Sequence, residues 1–63
     1  MKYNIKEIRK KKRISQKELS ELSGVSRGIL VRLESGKEME TTTGTLKAIA
    51  DALGVSIRSL FSV

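Results

Sequence analysis

The side chains with the greatest capacity for chemistry in this sequence are cationic. Thirteen Lys or Arg stand against seven Asp or Glu in 63 residues, and the chain contains no His and no Cys. Without imidazole or thiol groups, catalysis and metal binding would have to rely on carboxylates, lysines and hydroxyls. We therefore expect no enzyme activity, no metal site, no disulfide and no cofactor. The chemistry that this composition favours is hydrogen bonding to an anionic partner.

The positive charge is concentrated in one half of the chain. Residues 1–37 hold eleven Lys or Arg against four Glu, whereas residues 38–63 hold two against three acidic residues. Its densest part is the run Arg9-Lys10-Lys11-Lys12-Arg13, which is either a solvated helix end or a set of contacts to a polyanion. No apolar run approaches the ~18 residues of a membrane span, and no signal peptide opens the chain. We expect a cytoplasmic protein without membrane contact.

Two short helices joined by a tight turn are predicted in the middle of the sequence. Ser15 and Glu18 have the spacing of a capping box that begins a helix over 16–23, and Gly24 supplies the left-handed conformation that ends it. The apolar residues of this helix, expected to be buried, are Leu19 and Leu22. Ser26 is then placed to cap the next helix.

That next helix, over 27–35, has one apolar face and one cationic face. Its apolar positions are Ile29, Leu30 and Leu33, which share a side. The outward positions are then Arg27, Gly28, Val31 and Arg32. Arg can bond the O6 and N7 atoms of guanine in a bidentate manner, and Val suits a thymine methyl group. Glycine inside a helix costs ~1 kcal/mol relative to Ala, and close approach of a partner would explain its presence.

Three further helices are predicted from capping residues and apolar spacing. Their ranges are 4–12, 43–53 and 57–61, with Asn4, Thr42 or Thr43, and Ser56 as the capping residues. Glu7 completes a capping signature with Asn4, and Gly54 ends the fourth helix. The sequence therefore predicts one all-α domain over 1–63 that contains five helices.

The central pair of helices has a pattern beyond its two caps. The residues that carry it are Gln16, Leu19, Gly24, Val25, Ser26, Leu30, Leu33, Glu34 and Gly36. With these residues the chain resembles the phage repressor and Cro type of DNA-binding domain, the Xre family. The resemblance implies a compact lambda-repressor-like fold in which the second and third helices form a helix-turn-helix. It also implies double-stranded DNA as the partner.

The resemblance, together with the charge pattern, assigns roles to individual residues. The positions expected to read bases are Arg27, Gly28, Val31 and Arg32, with Gly28 acting as a spacing element. Those expected to contact phosphate are Gln16, Lys17, Ser26, Lys37, Arg9, Lys10 and Arg13. A buried ion pair between Arg9 and Glu34 is the preferred interpretation of both residues. Gln16 is also expected to brace Arg27, and the expected dimer interface consists of Ile57, Arg58, Leu60 and Val63.

These roles describe a sequence-specific transcriptional regulator, most simply a repressor that binds an inverted repeat as a homodimer. No small-molecule effector is evident. An antitoxin or a controller of restriction and modification would have the same DNA-binding mode. A protein-binding adaptor on the same fold is an alternative of a different class, but it would not need two arginines on the outer face of the third helix.

Overall fold

The computed structural model describes residues 3–36 and 41–61, and this part of the chain is all-helical. Its elements are helices α1 (Ile5–Lys11), α2 (Gln16–Ser23), α3 (Arg27–Glu34) and α4 (Thr43–Leu53), followed by a short 3-10 helix (Ile57–Leu60). Helices α2 and α4 have the predicted bounds, whereas α1 and α3 are shorter than predicted by two residues and one residue. The predicted fifth α-helix is a 3-10 helix that ends at Leu60, one residue early.

Side-chain caps begin the three helices that form the centre of the fold. In α2, the N–H of Glu18 donates to Ser15 Oγ at 3.0 Å and the N–H of Ser15 donates to Glu18 Oε1 at 3.0 Å, which is a complete capping box. Ser26 Oγ accepts from the N–H of Ile29 at 3.3 Å, and Thr42 Oγ1 accepts from that of Thr45 at 3.0 Å. Each bond satisfies an amide that the helix leaves without a partner.

The other two expected caps are wrong. The Asn4 side chain does not cap α1. Its amide donates to the carbonyl of Phe61 at 3.1 Å, while its backbone N–H donates to that of Leu60 at 2.7 Å. The Ser56 hydroxyl lies 3.0 Å from that of Ser59 and caps no backbone amide. The start of the described chain is therefore held by its C-terminal segment, where Tyr3 pairs with Phe61 in an antiparallel β-bridge.

Two helices end in the same hydrogen-bonding arrangement, but with different residues in the left-handed position. After α4, Gly54 has φ of 71°, and the N–H of Val55 reaches the carbonyl of Ala50 at 3.0 Å. After α1, the left-handed residue is Arg13, with φ of 56°, and the N–H of Ile14 reaches the carbonyl of Arg9 at 3.0 Å. Both ends are Schellman motifs, and the one at Arg13 places a side chain where glycine is favoured.

The core lies between α2, α3 and α4 and is closed by α1 and the 3-10 helix. Its buried apolar members are Ile5, Leu19, Val25, Leu30, Leu33, Leu46, Ile49, Ala50, Leu53 and Leu60. The expectation that Leu22 is buried is wrong, since 63% of this residue is exposed. The inward side of α2 instead runs through Gln16, Leu19, Ser20 and Ser23, which recur at helical spacing and are buried or half-buried. Both serine hydroxyls donate to backbone carbonyls at 2.7 Å, so their burial leaves no polar group unpaired.

Candidate nucleic-acid interface

Helix α3 presents one continuous exposed face. Its four residues, named here the α3 face, are Arg27, Gly28, Val31 and Arg32, and all four are exposed as the helical period predicts. Val31 is 46% exposed, so this face contains an aliphatic side chain beside its two arginines. On the opposite side, Leu30 and Leu33 are 0% and 1% exposed. The burial of these leucines fixes which side of α3 faces outward.

The turn before α3 holds the helix at a defined angle to α2. Val25 is 9% exposed and fills the corner, with its carbonyl accepting from Ser20 Oγ at 2.7 Å. Its N–H donates to Ser23 Oγ at 3.1 Å. Gly24, with φ of 76°, allows the chain to reverse between the helices. Two short helices joined by such a turn form a helix-turn-helix, in which the second helix is available to enter the major groove.

A buried ion pair ties the end of α3 to α1. Arg9 Nε donates to Glu34 Oε2 and Arg9 Nη2 donates to Glu34 Oε1, each at 2.9 Å, as in a bidentate pair. The third guanidinium nitrogen, Nη1, donates to the carbonyl of Ile14 at 2.9 Å. The hydrogen bonds that Arg9 donates to Glu34 raise the pKa of Arg9, against the opposing effect of burial. The predicted ion pair between Arg9 and Glu34 is therefore present.

Arg9, which is also one of the expected phosphate contacts, is occupied inside the protein. Arg9 is only 9% exposed, and each of its three guanidinium nitrogens donates to a protein oxygen. The guanidinium has five N–H groups, and three of them make these bonds. The contacts that the structure shows for Arg9 are those that hold α1 to α3, and its contact with phosphate stays a prediction. Its neighbours Lys10 and Arg13 are exposed and remain candidates.

Gln16 joins this network in a way that the sequence did not indicate. Its Nε2 atom donates to Glu34 Oε1 at 3.2 Å, so Glu34 accepts hydrogen bonds from both α1 and α2. The sequence predicts that Gln16 braces Arg27, but its side-chain amide donates to Glu34. No local signal links two residues that are 18 positions apart, and only the packing of α2 against α3 brings them together. Gln16 remains half-buried at the start of α2, with its second amide hydrogen outside this bond.

Of the remaining candidates for phosphate contact, the structure describes Lys17 and Ser26 but not Lys37. Lys17 is exposed on the first turn of α2. Ser26 is exposed as well, and its hydroxyl caps α3, so a contact with a partner would share that oxygen. Lys37 lies outside the described residues. Lys10 lies in the last turn of α1, Arg13 in the α1–α2 connection and Lys17 in the first turn of α2. The two exposed arginines of α3 are Arg27 and Arg32.

The C-terminal candidates for a dimer interface require one correction. Leu60 is 0% exposed and belongs to the core, so the expectation that it faces a partner chain is wrong. The 3-10 helix turns Leu60 inward against α4, while Ile57 stays half-buried and Arg58 exposed. Val63 lies outside the described residues. The rings of Tyr3 and Phe61 contact each other nearby, with centroids 5.7 Å apart, a pair that the sequence reasoning missed.

Residues 3–36 and 41–61 contain no group of three or more His, Cys, Asp or Glu that could hold a metal ion. None of the helices in this part of the chain is long and apolar enough to cross a membrane.

Comparison with known proteins agrees with the geometry of the α2–α3 pair. A family model described as helix-turn-helix matches residues 5–60, which is most of the chain. The match begins with α1 and ends with the 3-10 helix, so it includes the α3 face, the ion pair and the core around them. No curated protein sequence matches the chain. The chain belongs to the phage repressor and Cro type, or Xre family, of helix-turn-helix domains, which bind DNA and regulate transcription.

Proposed function

We propose that this domain recognises a specific double-stranded DNA sequence as a homodimer and represses transcription by occluding its operator. The observation that carries the proposal is the α3 face. Two arginines flank an exposed glycine and an exposed valine, while the other side of the helix is fixed in the core. Side chains on such a helix can contact the edges of bases in the major groove.

The base-reading residues in this proposal are Arg27, Val31 and Arg32, with Gly28 allowing close approach. Each arginine presents a planar fork that matches the two acceptors of guanine, and a good bidentate pair discriminates by ~1–3 kcal/mol against the wrong base. Within residues 3–36 and 41–61, neither the Arg27 nor the Arg32 guanidinium makes an ion pair or a side-chain hydrogen bond. Both are therefore available to a partner without the cost of breaking an internal bond.

Phosphate contacts would fix the register of α3 on the duplex. The candidates are Arg9, Lys10, Arg13, Gln16, Lys17, Ser26 and Lys37. The cations among them would release counterions on binding, so the affinity should fall steeply as the salt concentration rises. Replacing Lys37 with Ala should weaken the binding of all duplexes alike and lower the salt slope by about 1. A loss confined to one sequence would make Lys37 a base reader instead.

The homodimer is proposed because one recognition helix contacts too few base pairs for a genomic site. Candidate interface residues are Ile57, Arg58 and Val63. A two-fold dimer requires an inverted repeat, with half-site centres about 10 base pairs apart so that both helices enter the groove on one face of the DNA. Ile57→Asp should abolish cooperative occupancy of the half-sites while the domain stays helical. Inserting five base pairs between the half-sites should have the same effect, and equal binding of the inserted operator would contradict the dimer.

Selection of bound sequences from a random duplex library tests the proposal as a whole. The expected result is enrichment of one inverted repeat, and absence of enrichment would favour a protein-binding adaptor. With the selected duplex, Arg27→Ala and Arg32→Ala should each relax the preference at one base pair per half-site, with a loss of ~1–3 kcal/mol. The control is Lys47→Ala, which removes one exposed positive charge from α4 and should leave base preference unchanged.

A further inference from the structure

The exposed residues of α1 lie on two sides of the helix that differ in charge. With a turn of about 100° per residue, Lys6 and Lys10 share one side. Glu7 and Lys11 share the other side, and all four residues are exposed. Lys11 has an acid one turn before it, at the spacing that stabilises a helix, whereas the residues one turn after Lys6 are the cations Arg9 and Lys10. In the part of the chain that the structure describes, Lys6 makes no ion pair and no side-chain hydrogen bond, so the free domain gains nothing from its charge.

The ion pair between Arg9 and Glu34 shows which side of α1 borders the α3 face. On each helix, the paired residue lies about 40° around the axis from a fully buried core position and about 60° from the next exposed position. That exposed position is Lys6 on α1 and Val31 on α3. Because the paired side chains contact each other and the core lies on one side of them, Lys6 and Val31 lie together on the other side. Lys11, about 160° from Arg9, points away from this surface.

We propose that Lys6 contacts a DNA phosphate and extends the DNA-binding surface from the α3 face along α1. This inference rests on the proposed function and adds to it a residue outside the basic run and the helix-turn-helix. A lysine ammonium is a point charge on a flexible stem, which suits a phosphate oxygen and carries no sequence information. A phosphate also offsets the repulsion between Lys6 and the cations one turn away, so DNA favours an arrangement that the free helix disfavours. Lys11, on the far side of α1, makes no such contact.

The salt dependence of binding tests the role of Lys6. Dissociation constants of the wild type and of Lys6→Ala are measured by fluorescence anisotropy, on the selected duplex and on a scrambled one, at about 50 to 200 mM salt. Lys6→Ala should weaken the binding of both duplexes and lower the slope of log affinity against log salt by about 0.9 per half-site. Over this range of salt, the wild type should then lose about 3.5-fold more affinity per half-site than the variant.

Two further variants connect the effect to the position of the charge. Lys11→Ala is the matched control, because it removes the same charge from an exposed position of the same helix, and it should leave the salt slope unchanged. Lys6→Arg restores a cation and should recover the slope of the wild type. Thermal unfolding followed by circular dichroism gives a second measurement. Lys6→Ala should keep or raise the midpoint of unfolding, because it removes repulsion from Arg9 and Lys10, so its weaker binding does not come from a loss of folded protein.

The outcomes separate the role of Lys6 from the function on which it rests. If Lys6→Ala and Lys11→Ala have the same salt slope while Arg27→Ala still relaxes base preference, Lys6 is not a phosphate contact and the proposed function stands. A loss of affinity confined to the selected duplex also overturns the inference, because Lys6 would then take part in reading the sequence. If the wild-type domain binds neither duplex, the proposed function fails, and the role of Lys6 fails with it.

Discussion

Replacing Arg9 with Met should destabilise the domain by about 3–5 kcal/mol. The Glu34 side chain is 4% exposed and accepts two hydrogen bonds from Arg9 at 2.9 Å. Without the guanidinium, the Glu34 carboxylate stays buried, and it keeps the hydrogen bond from the Gln16 side-chain amide. A domain of this length has a total stability of about 3–9 kcal/mol, so the variant should be close to unfolding at room temperature.

Urea denaturation followed by circular dichroism measures this loss of stability, and a double-mutant cycle shows how much of it comes from the interaction between Arg9 and Glu34. Arg9→Met and Glu34→Leu each leave one buried partner, whereas the combined variant removes both charges. We expect the combined variant to recover most of the loss, since replacing a whole buried pair by apolar residues is often neutral or stabilising. The matched control is Lys47→Met, which breaks the Lys47–Asp51 pair on α4. These side chains are 70% and 67% exposed, and the expected change is below about 1 kcal/mol.

Two results would refute this reasoning. If Arg9→Met cost no more than Lys47→Met, the burial of Glu34 would not govern the energy of the pair. If the losses of Arg9→Met and Glu34→Leu simply added in the combined variant, the two residues would act independently, and the bidentate geometry would have no energetic consequence.

Three other predictions concern the stability of the domain, at Arg13, at Glu18 and at the pair Leu19 and Leu22. Arg13→Gly should raise the free energy of unfolding by up to about 1 kcal/mol in thermal or urea denaturation, because Arg13 has φ of 56° and glycine removes that strain; a decrease would contradict this. The capping box lowers the pKa of Glu18 through hydrogen bonds with the backbone and side chain of Ser15. The ionised Glu18 therefore stabilises the folded state above its ordinary pKa of 4.5, and this stabilisation is lost as the pH falls through the lower pKa of the folded state. Glu18→Gln should therefore flatten the decline of stability in acid relative to the wild type and to the control Glu21→Gln, and an unchanged decline would count against the assignment. Leu22→Gln should change stability by no more than about 0.5 kcal/mol, whereas Leu19→Ala should cost about 2–5 kcal/mol, and similar losses from both would show that Leu22 is buried.

The sequence by itself determined the local framework of the helix-turn-helix. Capping bonds join residues three apart, as at Ser15 and Glu18, and the left-handed turns at Gly24 and Gly54 are favoured by glycine at one position. Such features depend only on residues close together in the sequence, and they form wherever those short stretches become helical. The outward orientation of Arg27 and Arg32 follows equally from the helical period, once Leu30 and Leu33 are buried.

Only the tertiary structure decided which of several suitable residues are buried. Leu22 is exposed while Ser20 and Ser23 face inward, because α2 packs through its small residues and their hydroxyls find carbonyl partners. Leu60 fills the core, since the last helix is a tighter 3-10 turn. The hydrogen bond from Gln16 to Glu34 likewise depends on how α2 meets α3. Hydrophobicity makes the burial of a side chain favourable, but the rotation of a helix about its axis against its neighbours determines which side chains are buried.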